Sequence, residues 1–409
     1  MELAQFLESQ IDTLQFLPPR CQKIVEIYLD GLVRGHKKSV KGIIREFQLH
    51  FTTQFLLTHL KQLPAYSSPL KQHIYRQIRL KVDRRSKFFL AGDDTSHRVY
   101  GKKIYAAGIQ YDHALNAFIN SIKLVDLIVS DLKDRVLLND FKVYMPKSFV
   151  ATHSWQGYQF RSKIDLLSEL MICMIQTMNE VAVPKKTIWV LVDSWFSSGK
   201  FEKRIRDVGA NYVLQVKKDR RIRLFQTWMR IDQYFERYKS AHYFTAQPDK
   251  KKIFYKEAIL DVSKFGRRKV IAFKEEQEKE WRYFVISELK LTAKTAYKYI
   301  KRRWLVETMH RETKQFFGLE ATYSGRAKYL IAHYLCSYYG WLLFQWYKWQ
   351  IAADQDYTST EELWMQYIQE RRRQEKGNLQ FFLGKPKIPR RPLQKNVKFK
   401  NKKIPVEAI

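Results

Sequence analysis

Three acids stand at positions where backbone and charge change character. Asp93 follows the apolar run FFLAG at 88–92, Asp193 follows TIWVLV at 187–192, and Glu307 lies inside RWLVETMHRETK at 303–314. Runs of the first two kinds are expected to be strands, and the third reads as a helix. Carboxylates at neighbouring strand ends converge even when far apart in sequence, and a helix can add a third. Such an all-oxygen set suits Mg²⁺ or Mn²⁺ with positions left for a phosphate and a water. With two ions, one activates an attacking oxygen and the other stabilises a leaving 3′-oxygen in an in-line displacement.

Each acid also has a plainer reading. Asp193 alone fits the cap of a following turn. Glu307 alone fits an i,i+4 partner of Arg303 or Arg311 on a solvated helix face. The order strand acid, strand acid, helix acid favours the shared site.

Composition names the partner that such chemistry needs. Lys and Arg total 74 against 41 Asp and Glu, a formal charge of +33 on 409 residues. So large an excess, spread along most of the chain, matches a nucleic-acid backbone better than a small acidic metabolite. The 45% hydrophobic and 15% aromatic content is ample for a core. Cys21, Cys173 and Cys336 are widely separated and lack close-spaced His, which argues against a disulfide framework and a zinc site. The beginning MELAQFLESQ lacks the order of a signal peptide, and the chain reads as intracellular. Tyr329 to Tyr347 carries no Asp, Glu, Lys or Arg, yet its His333, Ser337, Gln345 and tyrosines favour a buried aromatic helix over a membrane span.

These residues must be positioned by an α/β fold. Residues 1–80 read as helices, with Leu17-Pro18-Pro19 as punctuation and capped helices after Ser39 and Thr52 at helix-turn-helix spacing, either a DNA reader or a plain bundle. Strands are expected at 88–92, 104–111 and 117–125, a helix at 163–181, a strand at 187–192, a helix from Ser197-Ser198 and a strand at 212–216. From 217 to 290 the chain turns basic and β-rich, with a hairpin pairing 269–274 and 281–287. Helix returns from Leu291 through Lys314. Beyond 351 a C-terminal helix and an extended basic tail are expected, and Lys385 to Lys403 holds nine Lys or Arg, three Pro and no acid.

The spaced Arg303, Glu307 and Lys314, with Trp304 after the Arg, resemble the YREK signature of DDE transposases from bacterial insertion sequences, specifically the insertion sequence 4 superfamily. That signature places Tyr, two residues, Arg, three residues, Glu, six residues and Lys; here its first position is Ile300, with Tyr297 and Tyr299 beside it. Asp93-Asp94-Thr95 resembles the first-acid motif and favours Asp93 over Asp94, and Asp193 resembles the second acid. The resemblance covers about 85–350. It implies an RNase H-like mixed-sheet domain with a β-rich insertion at 217–290, and two Mg²⁺ or Mn²⁺ on Asp93, Asp193 and Glu307. It also implies nicking of transposon ends and joining of the 3′-hydroxyl to target DNA, with a dimer at paired ends in the bacterial cytoplasm, on the nucleoid. Arg303 and Lys314 would hold DNA phosphate, and Trp304 or Trp281 would stack on an unpaired base. An inactive DNA-binding relative and a nuclease without strand transfer are the alternatives.

Overall fold

The computed structural model describes residues 1–383 apart from 82, 84, 85, 102, 113, 114, 181, 248, 249, 323 and 352–358. The basic tail expected at Lys385 to Lys403 lies outside the described residues. The chain opens with five helices, α1 (Leu3–Asp12), α2 (Pro19–Arg34), α3 (Val40–Glu46), α4 (Thr53–Leu60) and α5 (Ser67–Lys81). Pro19 starts α2, where its missing N–H costs nothing. The side chains of Ser39 and Thr52 cap α3 and α4 by accepting from Gly42 N and Phe55 N at 3.2 and 3.1 Å, as the spacing predicts.

Strands β1 (Phe88–Arg98), β2 (Gly108–Asp112), β3 (Ala117–Asp131) and β4 (Val136–Tyr144) follow. Helices α6 (Lys147–Thr152) and α7 (Lys163–Glu180) lead to β5 (Ile188–Val192), α8 (Gly199–Asp207) and β6 (Asn211–Val216). The first strand does not stop at Gly92. It runs on because β3 pairs antiparallel with it from Phe88↔Asp131 to Arg98↔Ser121, so Asp93 lies within the strand. The second strand is shorter than expected and begins only at Gly108, after Ala106 at φ +58°.

The basic segment contains β7 (Arg221–Leu224), β8 (Thr227–Arg230), α9 (Ile231–Tyr238), β9 (His242–Ala246), β10 (Lys251–Val262), β11 (Gly266–Glu275) and β12 (Arg282–Ile286). The β11–β12 hairpin forms as expected. Because β12 also pairs antiparallel with β6, these strands extend the same sheet. That twelve-stranded mixed sheet runs β2-β3-β1-β5-β6-β12-β11-β10-β7-β8, with β4 on β3 and β9 on β10. A buried staple locks the two parts together. Glu202 of α8 is fully buried and accepts from Arg268 of β11 at 2.9 Å and from the Tyr212 hydroxyl of β6 at 2.5 Å.

The helix expected over 291–314 is two helices, α10 (Ala293–Arg302) and α11 (Trp304–Gln315), with Arg303 between them. The uncharged aromatic stretch falls in α12 (Ala327–Gln350), and its core-facing positions include Trp341 and Trp346, both 1% exposed. Among the described residues no helix is long and apolar enough to cross a membrane. The N-terminal helices pack on α12, where the Tyr28 hydroxyl meets His333 Nδ1 at 2.8 Å. Helix α13 (Thr360–Leu383) returns to α1, and Glu370 accepts from Ala4 N at 2.7 Å.

Removing Arg268 strips one ionic partner from a carboxylate that water cannot reach. Arg268→Ala is expected to destabilise the protein by about 1.5–3 kcal/mol, measured by denaturant unfolding. Adding Glu202→Gln should recover part of the loss; full stability in Arg268→Ala alone would mean that the staple is dispensable.

Candidate active site

Register puts the first two acids side by side. β1 and β5 run parallel with Gly92 opposite Val192, so the next residues of each chain are Asp93 and Asp193. Strand alternation then separates Asp93 from its neighbour. A Cβ added at Gly92 would meet Leu167 and Met171 of α7, so even positions here face α7. Asp94 accordingly accepts from Lys163 Nζ, at the start of α7, at 2.7 Å, with Lys123 Nζ at 4.0 Å. Asp93 faces the other way, toward α10 and α11, as does Phe89, whose ring packs 4.7 Å from that of Tyr299.

On that side Arg303 spans two of the expected acids. Its Nη2 donates to Glu307 Oε1 at 2.7 Å and its Nη1 lies 3.5 Å from Asp93 Oδ2. The i,i+4 pairing of Glu307 and its place beside Asp93 are therefore the same arrangement. Asp193 caps its own turn, as the plainer reading has it, with Oδ1 accepting from Trp195 N and Phe196 N at 3.0 and 3.2 Å. Its Oδ2 takes no hydrogen bond among the described residues. The three acids thus gather at one locus. They are not drawn into one ligand set: among the described residues, no three His, Cys, Asp or Glu lie close enough to hold a metal ion.

Burial, then the Asp193 carboxylate, pushes the Asp93 carboxyl up to about 6; the Asp94 carboxylate adds to the rise, while His310 and the Asp94 N–H oppose it. His310, one turn beyond Glu307, meets the fully buried Asp126 through Nε2 at 2.8 Å, and the Tyr338 hydroxyl donates to the other Asp126 oxygen at 2.8 Å. Asp126 sits directly opposite Asp93 in the β1–β3 ladder. Sequence reasoning passed over this pair; the available signal was a lone acid in the apolar run IKLVDLIV at 122–129.

The remaining expected residues are distributed around the acids. Lys314 Nζ donates to the Ser96 carbonyl at 2.7 Å and meets Glu320 at 3.1 Å, tying the end of α11 to β1. Trp304 is 58% exposed, which sets aside core packing as its role. Trp281 is half-buried with Lys256 and Lys274 over its ring at 5.2 and 5.4 Å, and it lines a groove of about 580 Å³ with Ser194, Lys217, Lys218 and Arg230. Trp195, unforeseen from sequence, is exposed beside Asp193 with Lys163 at 4.7 Å from its ring. Neither tyrosine flanking Ile300 serves the acids: Lys87 donates to the Tyr299 hydroxyl at 2.6 Å, and the Tyr297 hydroxyl donates to Glu275 at 2.9 Å.

A family model described as DDE superfamily endonuclease matches residues 19–237, more than half of the chain. The chain belongs to the DDE superfamily endonucleases. A second model, described as transposase DDE domain, matches residues 171–336. The first match contains Asp93 and Asp193, the second Asp193 and Glu307, so the two together span every acid of the locus. A search of curated proteins finds no match. Nuclease and transposase chemistry, DNA as partner and use of divalent metal ions go with membership in this superfamily.

The raised Asp93 has a measurable sign. A carboxyl whose folded value lies above its unfolded one lets the native state hold more protons between about pH 4 and 6. Stability therefore falls as pH rises through that window, on the order of 2–3 kcal/mol in total for this 20% exposed group. Asp93→Asn is expected to raise Tm at pH 7.5 in metal-free buffer by about 2–5 °C and to lose that gain by pH 4. A pH-independent shift would assign the change to packing instead.

Proposed function

We propose that this superfamily member is a DNA transposase that cleaves at the ends of its element and transfers the freed 3′-hydroxyl to target DNA, within the insertion sequence 4 superfamily. The observation that carries the reading is the parallel β1–β5 register, which sets Asp93 beside Asp193, together with Arg303 bridging Asp93 to Glu307. The core order β4-β3-β1-β5-β6, antiparallel on one side of β1 and parallel on the other, supports an RNase H-like catalytic domain over 85–350. Residues 217–290 would be its β-rich insertion, residues 1–80 a helical DNA-binding domain and residues 351–409 a helix with a basic tail.

The donor chemistry fits divalent cations. All three groups are carboxylates, Asp193 keeps one oxygen without a hydrogen bond, and Asp93 with Glu307 already accommodates the positive charge of Arg303. Asp93, Asp193 and Glu307 would hold two Mg²⁺ or Mn²⁺, which supply activation of the attacking oxygen and stabilisation of the leaving one. Arg303 is placed to exchange its carboxylate contacts for a DNA phosphate, and Lys314 holds α11 against β1 at the same strand. Exposed Trp304, or Trp281 in its basic groove, would stack on an unpaired base near the cut. Paired ends imply a homodimer, acting on the bacterial nucleoid in the cytoplasm.

Labelled DNA carrying the element's ends, incubated with Mg²⁺, Mn²⁺ or EDTA, tests the assignment. Wild type is expected to nick and join only with metal, and Glu307→Gln to lose both reactions by at least about a thousandfold while still binding DNA. Nicking without joining would make the protein a nuclease, and undiminished cleavage by Glu307→Gln would remove Glu307 from the site.

A further inference from the structure

At the far edge of the sheet, β7 and β8 are joined by the two-residue turn Phe225-Gln226. Phe225 adopts φ +54°, where a hairpin turn of this length ordinarily carries Gly, and its side chain is 90% exposed. A bulky residue in that region is a true outlier, and one held in water gains no burial in return. The strain points to a role outside the fold of the isolated chain.

The ribbon behind the tip is chemically two-sided. Ile222 is fully buried and Met229, its cross-strand partner, packs against the core, which anchors one face. Paired residues share a face, and the other one sets Arg221 opposite Arg230 and Arg223 opposite Trp228, which is 49% exposed. Like charges directly across an antiparallel pair repel. Arg230 is relieved by Asp232 at 2.5 Å, whereas Arg221 and Arg223 make no ion pair among the described residues. Next to β7 the same face continues through Asp261 to exposed Arg267. The ribbon is rooted at the acid locus, because Arg220 Nη2 donates to the carbonyl of Ser197 at 2.8 Å in the loop that follows Asp193.

From this we infer that the β7–β8 ribbon grips duplex DNA flanking the cut, with Arg221 and Arg223 on backbone phosphates and Phe225 wedged into a groove beside Trp228. A two-stranded ribbon fits the major groove, apolar wedges enter base steps, and unpaired guanidinium groups seek phosphate. The inference rests on the DNA reading above and adds a contact surface that is separate from the acids.

Phe225→Gly separates binding from folding, since Gly favours the turn. In the full-length protein this variant is expected to keep or raise Tm while affinity for a fluorescein-labelled double-stranded oligonucleotide falls about tenfold. Arg221→Ala with Arg223→Ala should lower the slope of log affinity against log salt by about 1.8. Lys133→Ala with Lys186→Ala, at two exposed lysines in the β3–β4 turn and just before β5, changes net charge equally and should leave that slope unchanged. Ribbon variants that bind as wild type does, or a slope that drops equally in the control pair, would overturn the ribbon's role while leaving DNA binding intact. A wild-type protein with no affinity for duplex DNA would overturn the DNA reading itself, and the ribbon's role with it.

Discussion

Parallel pairing of β1 with β5 is the constraint on which the site depends. It ends at Gly92 and Val192, and the chain then delivers Asp93 and Asp193 to adjacent positions whether or not two carboxylates tolerate each other. Burial and mutual repulsion keep the Asp93 proton on well above the ordinary carboxylate range. Backbone hydrogen bonds of the β1–β3 ladder, continuing through Asp93 to Arg98, hold the arrangement against that repulsion. The neighbouring elements read as responses to this concentration of negative charge. Arg303 answers Asp93 and Glu307, Lys163 answers Asp94, and the backbone N–H groups of Trp195 and Phe196 answer Asp193.

The split between α10 and α11 has a consequence for that balance. Arg303 lies at the junction, where it reaches down to Asp93 on the near face of the sheet and forward along α11 to Glu307 with one planar group. A forked guanidinium can satisfy two carboxylates at once, which a lysine ammonium does less well. Behind it, His310, Asp126 and Tyr338 form a buried hydrogen-bonded row that fixes α11 against β3 and α12. The aromatic α12, uncharged from Tyr329 to Tyr347, is thus a structural backing for the acids, and its His333, Tyr338 and Trp346 are hydrogen-bonded to the helices and strands it touches.

Much of this was legible in the amino-acid order. The apolar runs before Asp93 and Asp193, the Ser39 and Thr52 caps, the β11–β12 hairpin and the buried character of 329–347 all follow from patterns that depend on neighbours in sequence. Other features were not legible. The length of β1 beyond Gly92 depends on β3, the merging of the basic segment into the main sheet depends on β12 meeting β6, and Asp126 lies in a run whose apolar neighbours hide it.

The sequence by itself determined the inventory: a strong positive charge, two acids after buried strands, a third in a basic helix, and the Arg-Glu-Lys spacing around it. Spacing along one helix is a local property, so the sequence offered Glu307 an i,i+4 partner in Arg303 or Arg311, and the fold selected Arg303. Only the tertiary structure decided that Asp93 rather than Asp94 faces α11, and that Arg303 joins Asp93 as well as Glu307. It alone placed Trp304 and Phe225 in solvent. Which side of a strand meets which helix is set by long-range pairing and packing, and no local pattern of residues encodes it.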